Sequence, residues 1–304
     1  MNWTSYIKGF KAFLLLERSL SQNTIFAYIR DLQKLETYFQ LQKQSISPLH
    51  VQTEQLQQFI LWINDLGLGA RSQARLISSI KAFFKYLMIE DLIETNPSDL
   101  IEGPRLSRKI PEVLDYQDIQ SMLNAIDLSH PQGTRNRAIL ETLYASGLRV
   151  SELIELRLSN LYLDIGFIKV IGKGNKERIV PIGDEAVKHI QLYLAGVRSR
   201  MRRIKPEAEN MLFLNRRGGQ LSRVMIFLIV KETAKKAGIS KNVSPHTFRH
   251  SFATHLIEGG TDLKAVQDML GHESILTTEI YTHLDNDYLR DTIMQFHPRN
   301  RKNI

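Results

Sequence analysis

The chain has no cysteine, which excludes a disulfide framework and every thiolate-bound metal site. It also lacks any run approaching the roughly 18 consecutive apolar residues that a membrane span requires. Its opening residues, MNWTSYIKGFKAF, show no basic segment followed by the apolar core of an export signal. The expectation is a soluble cytoplasmic protein that does not enter a membrane. Clustered Asp and Glu pairs are missing as well, so nothing demands a two-metal centre, and no cofactor is expected.

What is present is a chain of 304 residues, 43% apolar and 24% charged, long enough for two domains that each bury a core. The formal net charge of +8 points to an anionic partner, for which nucleic acid is the commonest choice. Of the 40 basic and 32 acidic residues, 11 and 10 lie in residues 1–105, leaving 29 against 22 beyond them. The excess is therefore mostly C-terminal.

Apolar residues recur at helical spacing through residues 2–41, with a break at 19–22 where Ser21 can cap the second of two helices. The pattern repeats over 53–66 and 70–89, separated by Gly67 and Gly69. With no strand pattern before residue 100, residues 1–95 read as a small all-helical domain. Its polar sides carry Lys8, Lys11, Arg18, Thr24, Tyr28, Arg30, Arg71, Ser72, Arg75, Lys81 and Lys85. Such a set can track a DNA backbone, and equally it can be a solvated helix face. Residues 96–111, rich in Pro, Gly and basic side chains, read as a linker that includes Arg105, Arg108 and Lys109.

Residues 112–304 form the second domain. Helices are expected over 116–126 and 134–146, the latter closed by Gly147 in the left-handed C-cap position, and another starting at 148. Between 161 and 182 the period changes to two, giving a hairpin with Lys173 at its tip. A helix over 185–204 with a basic end, a short strand at 211–214 and a helix over 222–237 follow. The fold class is thus mainly α with a small β-sheet, a helical domain followed by a mixed α/β one.

The chemistry concentrates in residues 244–282, SPHTFRHSFATHLIEGGTDLKAVQDMLGHESILTTEIYT. His246 and Arg249, three apart, share a helix face, His272 falls just past the end of a second helix, and Tyr281 comes nine residues later. Earlier in the chain, Arg149 sits at a helix start with Glu152 placed to orient it. Two guanidiniums, two imidazoles and the Lys173 ammonium make a site for a phosphodiester that gains charge in its transition state. Tyr281 would attack, and Lys173, loaded yet able to release its proton, would protonate the leaving oxygen. A zinc reading of His246, His250 and His255 lacks the glutamate of HExxH, whose place is taken by Thr247. His250 and His255 read instead as buried, hydrogen-bonded histidines.

GLRVSELIELR at 147–157, GKGNKER at 172–178, HTFRHSFATHLIEGG at 246–260, LGHESILTTEIYTHL at 270–284 and HPR at 297–299 resemble the tyrosine recombinases, most closely the bacterial Xer type that resolves chromosome dimers at cell division. The resemblance covers nearly the whole chain, and all six active positions of that family have matching residues in order. It implies that Tyr281 forms a 3′-phosphotyrosyl link and frees a 5′-hydroxyl. Arg149, Arg249 and His272 hold the nonbridging oxygens, His246 assists proton transfer, and Lys173 is the acid. It further implies a two-domain C-shaped clamp around double-stranded DNA and a tetramer on two sites. A related second recombinase, a septal DNA translocase and a C-terminal segment docking into a neighbouring protomer are further implied, Met294 and Phe296 fitting either that docking or packing within the chain. A mobile-element integrase is the nearest alternative, although such integrases often add an N-terminal arm-site domain that this chain lacks. A type IB topoisomerase would relax supercoils as a monomer, and a non-catalytic DNA-binding protein would have no use for all six polar groups.

Overall fold

A computed structural model describes residues 3–106, 112–130, 132–172, 176–271 and 283–299. Two compact units divide the chain, Met1–Lys109 and Ile110–Ile304. In the first, the apolar periodicity becomes four helices: α1 (Trp3–Leu16), α2 (Gln22–Leu41), α3 (Thr53–Asp65) and α4 (Ala70–Ile89). Ser21 starts α2, its hydroxyl accepting from the Thr24 amide at 3.3 Å. Their buried faces meet in an aromatic core that includes Phe10, Phe39, Phe59, Phe83 and Phe84. Ring pairs such as Phe10 and Phe83 meet edge to face, 5.4 Å apart. Part of the polar set is committed to the fold. Arg75 is bound inward to the buried carboxylate of Asp31 and to the Ala27 carbonyl, and the Thr24 hydroxyl is engaged with Ser21.

The second unit is organised around α6 (Gly133–Ser146), whose residues 138–146 are all buried. A helix enclosed on every side is central to its domain. Its polar members are satisfied locally, Thr142 and Ser146 donating to carbonyls one turn earlier. Around it pack α5 (Tyr116–Asn124), the short α7 (Val150–Ile154), α8 (Asp184–Tyr193), α9 (Arg223–Lys236) and α10 (Pro245–Glu258). A three-stranded antiparallel sheet, β1 (Leu161–Tyr162), β2 (Phe167–Ile171) and β3 (Glu177–Pro181), lies against the same core. Its register pairs Ile168 with Val180 and Val170 with Arg178. A smaller cluster of Phe252, Leu256, Val266, Met269 and Leu270 joins α10 to α11 (Leu263–Leu270), and Ile293 adds α12 (His283–Phe296) to it.

Three expectations are corrected. The helix expected over 185–204 ends at Tyr193 and widens into a π-type turn over Leu194–Arg198. There Arg198 leaves the helical path, its guanidinium donating to the Met211 carbonyl at 3.1 and 3.3 Å. Residues 211–214 form no strand, since Met211 and Leu214 make only single bridges, to Arg157 and Gln220. The helix expected from 148 starts two residues later because Gly147 and Arg149 are used to turn the chain.

The HPR residues are fixed to α6. His297 is fully buried with Nε2 3.2 Å from the Tyr144 carbonyl, and burial pushes its pKa down to about 3, so the neutral ring donates there. Arg299 pairs with buried Glu141, which also accepts from Arg137 at 3.0 Å. Phe296 packs on the α10–α11 cluster of its own chain, and Met294 is partly exposed. Among the described residues no helix is long and apolar enough to cross a membrane.

Candidate active site

Gly147 makes the site possible. It caps α6 at φ 57°, and its carbonyl accepts from Nη1 of Arg249 at 2.7 Å. A Cβ at this position would lie 2.4 Å from Phe252 Cδ1 and 3.0 Å from Leu270 Cδ2. Gly147→Ala is therefore expected to lower the stability of this unit by about 2–4 kcal/mol, combining left-handed strain with overpacking. Chemical denaturation of the variant measures it.

Two residues on, Arg149 is the N-cap of α7. Its amide donates to Glu152 Oε2 at 2.8 Å and its Nη1 to Glu152 Oε1 at 2.9 Å, which is the orientation expected of this pair. Its Nη2 reaches the Gly271 carbonyl at 3.1 Å. Arg249 comes from α10, which begins at a capping box of Ser244 and Thr247 with Pro245 in the first turn. Besides Gly147, it donates to the Leu270 carbonyl at 2.6 Å. The two guanidiniums thus converge on one turn, Leu270–Gly271, where Gly271 ends α11 at φ 63°.

His246 is exposed in the first turn of α10, one turn before half-buried Arg249. His255 is buried, its Nδ1 2.8 Å from the Tyr144 hydroxyl. His250, expected to be buried, is exposed. The core face of α10 is set by Phe248, Ser251, Phe252 and His255, and position 250 falls outside that stripe. Lys173, His272 and Tyr281 lie outside the described residues. Their flanks are described: β2 and β3 enclose position 173, with the Gly172 amide donating to the Lys176 carbonyl at 2.7 Å, and Gly271 immediately precedes His272.

The electrostatics favour an anion. Burial, followed by the neighbouring Arg149 charge, pulls the Arg249 pKa down to about 10. It remains protonated at neutral pH, and its described hydrogen bonds go to neutral carbonyl oxygens. Glu152 is the carboxylate this cluster holds among the described residues. Burial alone would raise its pKa, but hydrogen bonds and charge from Arg178, then from Arg149, hold it below the usual carboxylate range. Three guanidiniums around one carboxylate leave an excess of positive charge that suits a phosphodiester.

Arg178 was not among the expected site residues. It makes a bidentate pair with Glu152, Nη1 to Oε1 at 2.8 Å and Nη2 to Oε2 at 2.9 Å. The signal for it is parity: Arg178 and Val180 share one face of the strand, and Val180 is a core residue. A charge in that series has a buried partner.

Comparison with known proteins gives the family of the chain. Residues 112–287 match the phage integrase family, and residues 7–91 match its N-terminal SAM-like domain. The chain belongs to the phage integrase family and is a tyrosine recombinase, an enzyme that cuts and rejoins DNA. It is 44% identical over 293 residues to tyrosine recombinase XerD of Staphylococcus saprophyticus, covering 96% of this chain and 98% of that one. Over 300 residues it is also 44% identical to tyrosine recombinase XerD of Chlorobaculum tepidum, covering 98% and 97%. Among solved structures, the XerH site-specific recombinase bound to palindromic difH after cleavage is 25% identical, with a TM-score of 0.69 over 91% of this chain and 81% of that one. A lambda integrase dimer on a core site shares the fold at 18% identity and a TM-score of 0.67, over 92% of this chain and 100% of that one.

Proposed function

We propose that this recombinase resolves chromosome dimers at cell division by strand exchange between two copies of a double-stranded DNA site. The convergence of Arg149 and Arg249 on the turn before His272 carries the strand-exchange chemistry of this reading, because it builds a cationic cradle for one phosphodiester. In it Tyr281 attacks the scissile phosphorus, Arg149, Arg249 and His272 hold the nonbridging oxygens, His246 assists proton transfer and Lys173 protonates the 5′ leaving oxygen. The phosphorus–oxygen bond broken in the strand is replaced by one to the tyrosine. Its energy is thereby retained, so religation needs neither ATP nor metal.

Residues 1–95 act as the DNA core-binding domain, 96–111 as the linker and 112–304 as the catalytic domain. Together they bind the duplex, as four protomers on two sites, with a related second recombinase and a septal DNA translocase as partners in the cytoplasm. A C-terminal segment docking into a neighbouring protomer is part of the same proposal, with Met294 rather than Phe296 available to it, since Phe296 packs on its own chain. Mapping the DNA that the protein occupies in its own genome tests the biological role. A palindromic site near the replication terminus is the expected result, and occupancy confined to the ends of a mobile element would replace this reading with that of an integrase.

A further inference from the structure

We propose that Arg178 is a positioning residue for strand cleavage, holding Arg149 in its working orientation and the neck of the β2–β3 hairpin in register with it. The inference rests on the reading of Arg149 as a phosphate-holding group. It follows from what meets at a single guanidinium, whose side chain is only 10% exposed. Each oxygen of Glu152 takes one bond from Arg178 and one from Arg149. The carboxylate is a four-bond hub with its two arginines on opposite duties. Arg178 is enclosed, while Arg149 remains 36% exposed and open to a ligand.

The second anchor of Arg149 also depends on Arg178. Arg149 leans on the Gly271 carbonyl, and Arg178 Nε donates to the Met269 carbonyl of the same turn at 3.1 Å. Gly271 packs directly on that guanidinium, since a Cβ there would sit 3.1 Å from Arg178 Cδ, Nε and Cζ. The hairpin neck lies against the other end, where a Cβ on Gly172 would be 3.5 Å from Arg178 Nη1 and 3.9 Å from Glu152 Oε1. The start of α7, the end of α11 and the strand pair leading to position 173 therefore share one planar fork. A lysine supplies the same charge from a single point and cannot span a carboxylate and a carbonyl in fixed geometry. Misplacement of a positioned group by about 1 Å costs on the order of 100-fold in rate.

The test uses the full chain and a nicked duplex of its recombination site that traps the covalent adduct. Arg178→Lys, Arg149→Ala and the double variant are compared for DNA affinity, adduct formation rate and thermal unfolding. Arg178→Lys is expected to bind DNA within about threefold of the parent and to form adduct on the order of 100-fold more slowly. In the Arg149→Ala background the same change is expected to slow adduct formation by less than about threefold, because groups acting as a unit are not additive. If the lysine variant does not fold, Arg178→Gln, which keeps donors without charge, takes its place. A parent-like rate in the single variant, or a full 100-fold loss in the double, overturns the inference. Adduct formation undiminished by Arg149→Ala instead overturns the reading of Arg149 on which it rests.

Discussion

Tyr281→Phe is expected to bind the recombination site with unchanged affinity and to form no covalent protein–DNA adduct. The change removes one oxygen. An unperturbed tyrosine, with a pKa near 10, is ionised in about one molecule in a thousand at neutral pH, so phenolate formation costs about 4 kcal/mol. On the proposed reading, the cationic cluster lowers that cost with a field of the right sign, and an imidazole accepting the proton supplies the rest. Phenylalanine leaves the field and the DNA contacts in place but removes the atom that bonds phosphorus. Loss of a covalent nucleophile lowers turnover on the order of 10⁴-fold or more. Denaturing gels of protein incubated with a nicked site measure it directly. An adduct trapped by the phenylalanine variant would refute the assignment, and loss of DNA binding would show that Tyr281 serves the fold instead.

Much of the fold was legible because helix ends have local chemistry. Ser21, Ser222 and Ser244 each cap the helix that follows, and Gly147 and Gly271 each close one in the left-handed region. Where the outcome depended on partners distant in the chain, the sequence pattern was insufficient. The helix ending at Tyr193 is decided by Arg198 reaching across to Met211, and residues 211–214 carry strand-like apolar content without a neighbouring strand to complete a ladder. His250 looked like the equal of His255, yet the two differ by five residues, which is not a whole number of helical turns. One faces the core and the other faces solvent.

The candidate site was legible to a different degree. Arg149 and Arg249 lie a hundred residues apart, and their convergence follows from two carbonyls of a single turn. No local spacing contains that fact, and it was reached through the ordered set of motifs. Glu152 could be placed from its position three residues after Arg149 at a helix start. Arg178 needed the strand register as well, because only the pairing with Val170 puts it on the buried face. It is the kind of residue that a search for exposed reactive groups misses, since its effect is exerted on the orientation of another side chain. Lys173, His272 and Tyr281 rest on their motifs and on family membership.

Lys173→Ala is expected to slow cleavage of ordinary DNA by about 10²- to 10⁴-fold, the usual range for loss of a general acid. The departing 5′-oxygen is an alkoxide whose conjugate acid is about as weak as water, so it leaves poorly unless a proton arrives with it. Arginine holds its proton too tightly to deliver it, whereas a lysine near pKa 10.4 is charged at neutral pH and can still release. The hairpin flanking position 173 suits that role. Its strands are held in register up to Ile171 and Glu177, and the neck is closed by the bond from Gly172 to Lys176. Replacing the bridging 5′-oxygen with sulfur provides the decisive comparison. A thiol has a pKa near 8.5, so the thiolate departs without help and the alanine variant should cleave the sulfur substrate at close to the parent rate. If both substrates slow equally, Lys173 holds the phosphate in place and some other group delivers the proton. Rescue confined to the sulfur substrate assigns the proton to Lys173 while leaving Arg149 and Arg249 to bind the phosphate and the Glu152–Arg178 hub to hold Arg149 in place, a division of labour that substitutions in the hub should not reproduce.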